Sequence, residues 1–473
     1  MAVLNGTDQR FDFTAQTLIV GAGACGLSAA LAARDAGVDT VVLEKTKSPL
    51  GTTAMSTGLI PAAGTPEQAD AGIADTPDIF VHDIMAKNGG RADPAVVAAL
   101  ADTSADTVRW LRDSHGVPLS LVDGFVYPGH SHRRMFGTPN RTGAELMAAL
   151  ERAVRDSGAD IVTEAPVAGL YVDGDGCVRG VRVARPDGAS ERIGCDTIVL
   201  ASSGFGGNPE LVAHHIPEMA GAILHTHTAN KGDALLWGQA LGAQLADLDA
   251  YQGHGGLAVG HGVPILWPAI MRGGFQVNAD GRRFSDESEG YSEQARRVLE
   301  QPGGIAWTVF DRTIHDVMTQ FDDFRDALDA GAILEAGDVD ALAARIGVPD
   351  TVLCDTFAQV DAAKLGQAPD RFGRAFDDGR PLRPPLYAVK VTGVLFHTQG
   401  GLCVDTDGRV LRQDGRPFPN LFAGGGAARG ISGRGATGYI AGNGLLTATS
   451  LGKLAGRAAA AQVRSATPGG APA

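Results

Sequence analysis

The chain has 473 residues, 44% hydrophobic and 20% charged, with a formal net charge of −14. That length allows two or three domains around a large core, and the acidic balance excludes nucleic acid as a partner, since phosphate binding needs a basic face. Five scattered cysteines without a CxxC pair (Cys25, Cys177, Cys195, Cys354, Cys403) exclude a disulfide scaffold and a zinc site and point to buried, reduced thiols in a cytoplasmic protein with no metal.

The first residues, "MAVLNGTDQRFDF", have neither a basic n-region nor an apolar h-region, so no signal peptide is expected, and no stretch reads as a membrane span. Residues 16–21 ("QTLIVG") predict a buried strand, 25–36 a helix of small residues and 38–44 ("VDTVVLE") a second strand, which together make a βαβ unit. Helical spacing follows near 78–88, 94–115 and 142–157. Residues 167–202 alternate apolar and polar residues, turn at "DGDG" and "PDG" and end in the apolar "TIVLAS", as paired strands do. After 253 the pattern is irregular, with helices predicted near 291–300, 322–332 and 338–346. A Gly-rich segment from 397 leads to a last helix at about 443–463, and "SATPGGAPA" reads as a disordered tail.

Gly21-x-Gly23-x-x-Gly26 lies between the first strand and the first helix. Gly21 suits a tight turn, Gly23 lets backbone approach a pyrophosphate, and Gly26 lets helix and strand pack closely. The helix N-terminus then offers unpaired N–H groups to phosphate. Glu44 ends the next strand, 18 residues after Gly26, where a carboxylate accepts hydrogen bonds from a ribose diol. A second loop, "GTTAMSTG" (51–58), suits additional phosphate and flavin contacts. Only one such fingerprint occurs, so no built-in NAD(P)H site is expected.

Five ordered blocks carry a resemblance over nearly the whole chain: the fingerprint with Glu44, the loop 51–58, "SSGFGGNPE", "GGLCVDTDGRVLRQDGRPFPNLFAGG" and "GYIAGNGLLTATSLGKLAG". The chain resembles the flavoprotein family of succinate dehydrogenase and fumarate reductase, which includes L-aspartate oxidase and the 3-ketosteroid dehydrogenases. The resemblance implies an α/β fold: a split Rossmann-like FAD-binding domain (1–253 and 397–463) with an inserted α+β capping domain (254–396), before a tail at 464–473. It implies FAD contacts at Gly21, Gly23, Ala24, Gly26, Glu44, Lys45, Thr52, Thr53, Ser56, Gly58, Val167, Ser203, Gly204, Asp233, Gly425, Gly444 and Leu445. Residues 46–58 lack the histidine that attaches FAD in some members, so the cofactor is expected to be non-covalent. Gly426 stands where members often carry Glu.

Members move a hydride between the flavin and one carbon of a C–C bond, and a proton at the neighbouring carbon beside a carbonyl or carboxylate. Counting along the family's spacing, the fumarate reductases' proton-donating arginine falls on Tyr291 in "RRFSDESEGY", and their carboxylate-binding arginine falls on Tyr439, four residues before Asn443. Two tyrosines are closer to the 3-ketosteroid dehydrogenases and suit a ketone or enol oxygen, whereas a buried dicarboxylate needs cations. His254 matches a substrate-binding histidine; Phe396 occupies the other family histidine position, followed by His397. Arg133, Arg134, Arg141, Arg429 and Arg434 are the cations available to a carboxylate. The expectation is an FAD-dependent oxidoreductase acting on CH–CH groups, α,β to the carbonyl of a ketone, with an external electron acceptor or donor. The alternatives are a fumarate reductase-like enzyme of an unsaturated carboxylic acid, and a flavin-binding electron carrier with a degenerate site.

Overall fold

The computed structural model describes residues 2–124, 126–376 and 379–466, and the chain falls into two compact units. One comprises residues 1–217, 226–251 and 397–473; the other comprises 218–225 and 252–396. The sequence reading kept 218–225 in the first part of the FAD-binding domain. In the structure, Ile223–Leu224 pairs in parallel with the strand Leu386–Thr398 at Val394 and Leu395, which ties the segment to the second unit.

The first unit is built on a nine-stranded mixed sheet. Strand Phe13–Val20 lies between Thr40–Leu43 and Ser190–Leu200, parallel to both, and Pro417–Ala423 runs parallel to the end of Ser190–Leu200. Residues 167–200 form the expected paired strands, Val167–Val172, Val178–Ala184 and Ser190–Leu200, joined antiparallel. Alternation along the central strands feeds two cores. Ile19, Val42 and Val199 bury against one layer with Leu27 and Ala459, while Leu18, Val20, Ile198 and Leu200 bury against the other with Leu100 and Trp237.

Helix Ala24–Asp35 packs on the last helix, Gly452–Ala466. A Cβ at Gly452 or Gly456 would strike the carbonyl oxygen of Cys25 or Ala29, so small residues on both helices set this close approach. The last helix runs through 466, past the expected start of the tail, and the rest of that tail lies outside the described residues.

The second unit has a six-stranded sheet centred on Leu386–Thr398, which pairs with Ile305–Asp311, Ile333–Ala336, Tyr251–Ala258 and Ile223–Leu224. Phe275, Phe310, Phe324, Leu353, Phe357 and Val389 fill its core, each full burial contributing about 1.5–3 kcal/mol. Helix Asp350–Lys364, absent from the sequence reading, covers it. All five cysteines are free; Cys25 and Cys403 are buried as expected, whereas Cys177, Cys195 and Cys354 are half-exposed. Among the described residues, no group of three or more His, Cys, Asp or Glu side chains could hold a metal, and no helix is long and apolar enough to cross a membrane.

Candidate active site

The residues expected to hold the cofactor all lie in the first unit, mostly where parallel strands end, the position at which open α/β sheets bind nucleotides. Gly21 follows Val20 with φ +106°, a conformation open to glycine. A Cβ at Gly26 would fall on the Gly21 carbonyl oxygen. Gly23 differs: the nearest atom to an added Cβ is Thr53 Oγ1 at 3.8 Å. The space over Gly23 is thus free for a pyrophosphate, and Gly23 itself, at the N-cap of the helix that begins at Ala24, makes no side-chain cap bond. Glu44 accepts from the Ala22 N–H at 3.0 Å and from Thr46 N–H and Oγ1 at 2.9 and 2.8 Å, so its carboxylate is fixed beside the fingerprint with a lone pair on Oε2 remaining for a diol. Lys45 Nζ pairs with Asp233 Oδ2 at 2.9 Å.

The loop 51–58 folds over the same helix start. Thr53 Oγ1 accepts from Ala24 N–H at 3.3 Å, Asn230 Nδ2 donates to Thr52 Oγ1 at 2.5 Å, and Ser56 Oγ donates to the Thr53 carbonyl and accepts from Gly58 N–H. Val167 follows a segment fastened to the ribose side, where Ala165 N–H donates to the Glu44 carbonyl at 2.9 Å. Ser203, a non-glycine at φ +64°, and Gly425 at φ +56° shape the turns after two neighbouring strands; Gly204 packs on Thr398 Oγ1. Gly444 and Leu445 open the helical run that continues to residue 466, and Leu445 N–H is used by the Gly442 carbonyl. The open cradle at Gly23, a helix N-terminus beside it and a fixed acid fit FAD.

The substrate-side residues divide between the units. His254, Tyr291 and Phe396 belong to the second and are brought together there. The His254 ring stacks on Phe396 (5.2 Å, 16°) and lies 5.3 Å from Tyr291 and 5.7 Å from Trp267. The His225 ring also lies 5.3 Å from that of Phe396. The His254 Nδ1 accepts from Gly256 N–H at 3.1 Å, which leaves the ring proton on Nε2. Burial, with a smaller effect of His225, pulls its pKa down to about 3, so the ring is a neutral N–H donor near neutral pH.

Tyr291 begins helix Tyr291–Leu299, after Gly290 at φ +147°. The acidic run before it resembles a solvated turn in sequence, yet Glu287 is 0% exposed. Its oxygens accept from Arg283 (3.0 and 2.8 Å), Arg374 (3.0 Å) and Gln276 N–H (3.0 Å), and Arg283 also pairs with Asp370. Burial raises the Glu287 pKa, but Arg374 and Arg283 outweigh it and hold the carboxyl below its usual range. The Glu287 carbonyl also accepts the Trp267 indole N–H at 3.2 Å, so one buried ion cluster supports both Tyr291 and Trp267.

His397, Tyr439 and the candidate arginines lie in the first unit. The Tyr439 ring meets His397 edge-on at 5.8 Å. Burial lowers the His397 pKa to about 4. Arg134, expected at substrate, is fully buried in a bidentate pair with Asp75 (2.9 and 2.8 Å) and a bond to Asp83 (2.6 Å); these bonds hold the loop 127–142 together. Arg429 pairs with Asp247 at 2.6 Å and Arg434 with Asp249 at 3.0 Å. Trp267, His225, Gln399 and the Arg283–Glu287–Arg374 cluster were not anticipated. Arg283 and Glu287 stand four residues apart, but the segment between them is not helical, so spacing does not announce the pair; Trp267 and His225 meet the site through tertiary packing alone.

The family model described as FAD binding domain matches residues 16–445. A probable fumarate reductase of Shewanella frigidimarina is 31% identical over 94% of this chain and 75% of its own length. A 4-oxocyclohexanecarboxylate 2-dehydrogenase of Sinomonas cyclohexanicum is 28% identical over 91% of this chain and 92% of its own. The solved 3-ketosteroid-Δ4-(5α)-dehydrogenase of Rhodococcus jostii RHA1 superposes with a TM-score of 0.79 at 24% identity, covering 97% of this chain and all of that one, which shows a shared fold. The chain belongs to the FAD binding domain family and is an FAD-dependent oxidoreductase of the fumarate reductase type.

Proposed function

We propose that this enzyme desaturates, or in reverse reduces, the C–C bond α,β to the carbonyl of a ketone, a small cyclic ketone above all. The observation that carries the reading is the uncharged, aromatic wall around His254: Phe396, Trp267, Tyr291 and a neutral imidazole N–H. A neutral N–H donor suits a ketone or enol oxygen, whereas an unpaired carboxylate in such a setting is costly. Of the five arginines put forward for a carboxylate, Arg133, Arg134, Arg429 and Arg434 are each paired with Asp side chains. The name of the Sinomonas relative, which specifies a cyclic ketone, supports the same class.

FAD, when bound, supplies the hydride acceptor or donor at the β-carbon. The His254 N–H would hold the carbonyl oxygen and stabilise charge that develops on it. His397 and Tyr439, held edge-to-ring in their own unit, would serve as further oxygen donors. In the reductive direction the Tyr291 hydroxyl gives its proton to the α-carbon as the β-carbon gains hydride and the C=C bond is lost; desaturation reverses both transfers. Electrons pass to or from an external partner.

The alternative is a fumarate reductase-like reaction on an unsaturated acid, supported by the 31% identical Shewanella relative. The test is to reduce the bound flavin without oxygen and follow its absorbance after adding 2-cyclohexenone or fumarate. Rapid reoxidation by the enone supports the proposal; reoxidation by fumarate alone overturns it.

A further inference from the structure

In the first unit, His397 stands at the end of a buried chain of polar side chains. Gln399 Nε2 is 2.8 Å from His397 Nδ1, Ser432 Oγ is 3.0 Å from Gln399 Oε1, and Asn443 Nδ2 is 2.7 Å from Ser432 Oγ. Gln399, Ser432 and Asn443 are 5%, 1% and 0% exposed, so water does not replace these bonds. Gln399 is fixed at both ends of its backbone as well, its N–H donating to Ala250 and its carbonyl accepting from Gly430.

The chain has a direction. An amide nitrogen only donates, so Asn443 uses the acceptor side of the Ser432 hydroxyl. The single hydroxyl proton then goes to Gln399 Oε1, which turns the Gln399 NH2 toward His397. A ring nitrogen that accepts from an amide carries no proton, so the imidazole proton resides on Nε2. The Thr398 carbonyl, 3.4 Å from the same Nδ1, is too distant to compete. At the other side of the ring, a Cβ at Gly444 would lie 2.9 Å from Nε2, so glycine leaves that nitrogen its room.

We infer that Gln399 is a positioning residue that locks His397 as the Nε2–H tautomer, so that the ring presents a donor and not a lone pair. Its use in turnover rests on the proposed place of His397 at the substrate oxygen; the tautomer itself does not. The test is the 15N spectrum of imidazole-labelled, FAD-loaded protein, with the His397 signals assigned by their loss in His397→Gln. A bare Nδ1 and a protonated Nε2 are expected. Gln399→Leu should release the ring into a mixture of tautomers and lower turnover about 10- to 100-fold, the scale of lost outer-shell partners. Gln399→Glu keeps an oxygen for Ser432 but demands a donor, so the proton should move to Nδ1; it serves as the test if Gln399→Leu does not fold. A protonated Nδ1 in the unaltered protein, as a reversed chain would give, overturns the inference, and so does a Gln399→Leu spectrum identical to the parent. A changed tautomer with unchanged turnover would count against the substrate role of His397 and not against the hold of Gln399 on its ring.

Discussion

The His254 ring lies 5.3 Å from that of Tyr291, inclined at 31°, and the backbone sets this spacing. Gly253 N–H donates to Ser292 Oγ at 2.9 Å, and a Cβ at Gly255 would lie 2.8 Å from the Gln294 carbonyl carbon. The missing Cβ at Gly255 thus lets the His254 strand settle onto the first turn of the Tyr291 helix. The proposed oxygen donor and the proposed proton donor are paired by contact between two elements within one unit.

Tyr291→Phe should keep that packing, since only the hydroxyl is lost. We expect turnover to fall about 10²- to 10⁴-fold, the usual contribution of a positioned proton donor, while the absorbance of bound flavin is unchanged. Full activity in stopped-flow reduction would remove Tyr291 from the reaction.

The glycine fingerprint makes two different predictions. Gly23→Ala has room for its methyl group, so the variant should fold with a parent-like melting curve but bind FAD at least about tenfold more weakly, a loss of about 1.4 kcal/mol. Gly26→Ala puts a methyl on the Gly21 carbonyl and should lower stability by about 1–3 kcal/mol or more before any cofactor is added. Flavin titration and denaturant unfolding of both variants separate the roles.

Much of the FAD-binding unit was legible because its signals are local. The βαβ unit needs one fingerprint with apolar runs on each side, and the strands of residues 167–200 need alternation and turn residues. The second unit was less legible. Strand Leu386–Thr398 is buried along most of its length and pairs with four other strands, so it shows no alternation to read. Helix Asp350–Lys364 did carry a signal, since Leu353, Phe357 and Val360 fall at helical spacing and are buried. In the site, Tyr291 and His254 came from family spacing. Trp267 and Gln399 did not, because a single indole or amide gives no periodic or motif signal until the fold supplies its partner.

Buried histidines should make the protein sensitive to acid. His254, His130 and His397 have pKa values lowered to about 3, 4 and 4 from an ordinary 6.5, with burial the leading cause in each. The unfolded chain therefore binds more protons than the folded one below about pH 6.5, and stability rises with pH in that range. We expect full stability above 6.5 and a progressive loss from there toward pH 4. His254→Gln should flatten the dependence of melting temperature on pH in this window; an unaltered slope would show that the ring is not buried neutral.

The ion cluster around Glu287, in the segment that leads into the Tyr291 helix, gives the last prediction. Glu287 is the shared acceptor of Arg283 and Arg374, and it lies at 0% exposure. Glu287→Leu removes the carboxylate but leaves two guanidinium groups in a buried setting, where among the described residues Asp370 is the other carboxylate paired with Arg283. Leaving a buried charge without its partner costs about 3–5 kcal/mol, so denaturant unfolding should show a loss on that scale. The same change withdraws the acceptor of Gln276 N–H and loosens the segment whose carbonyl holds the Trp267 indole. Trp267 fluorescence should therefore change even at temperatures where Glu287→Leu stays folded. Near-parent stability and fluorescence would mean that the acidic run acts as a solvated turn, and that Tyr291 is placed by its helix alone.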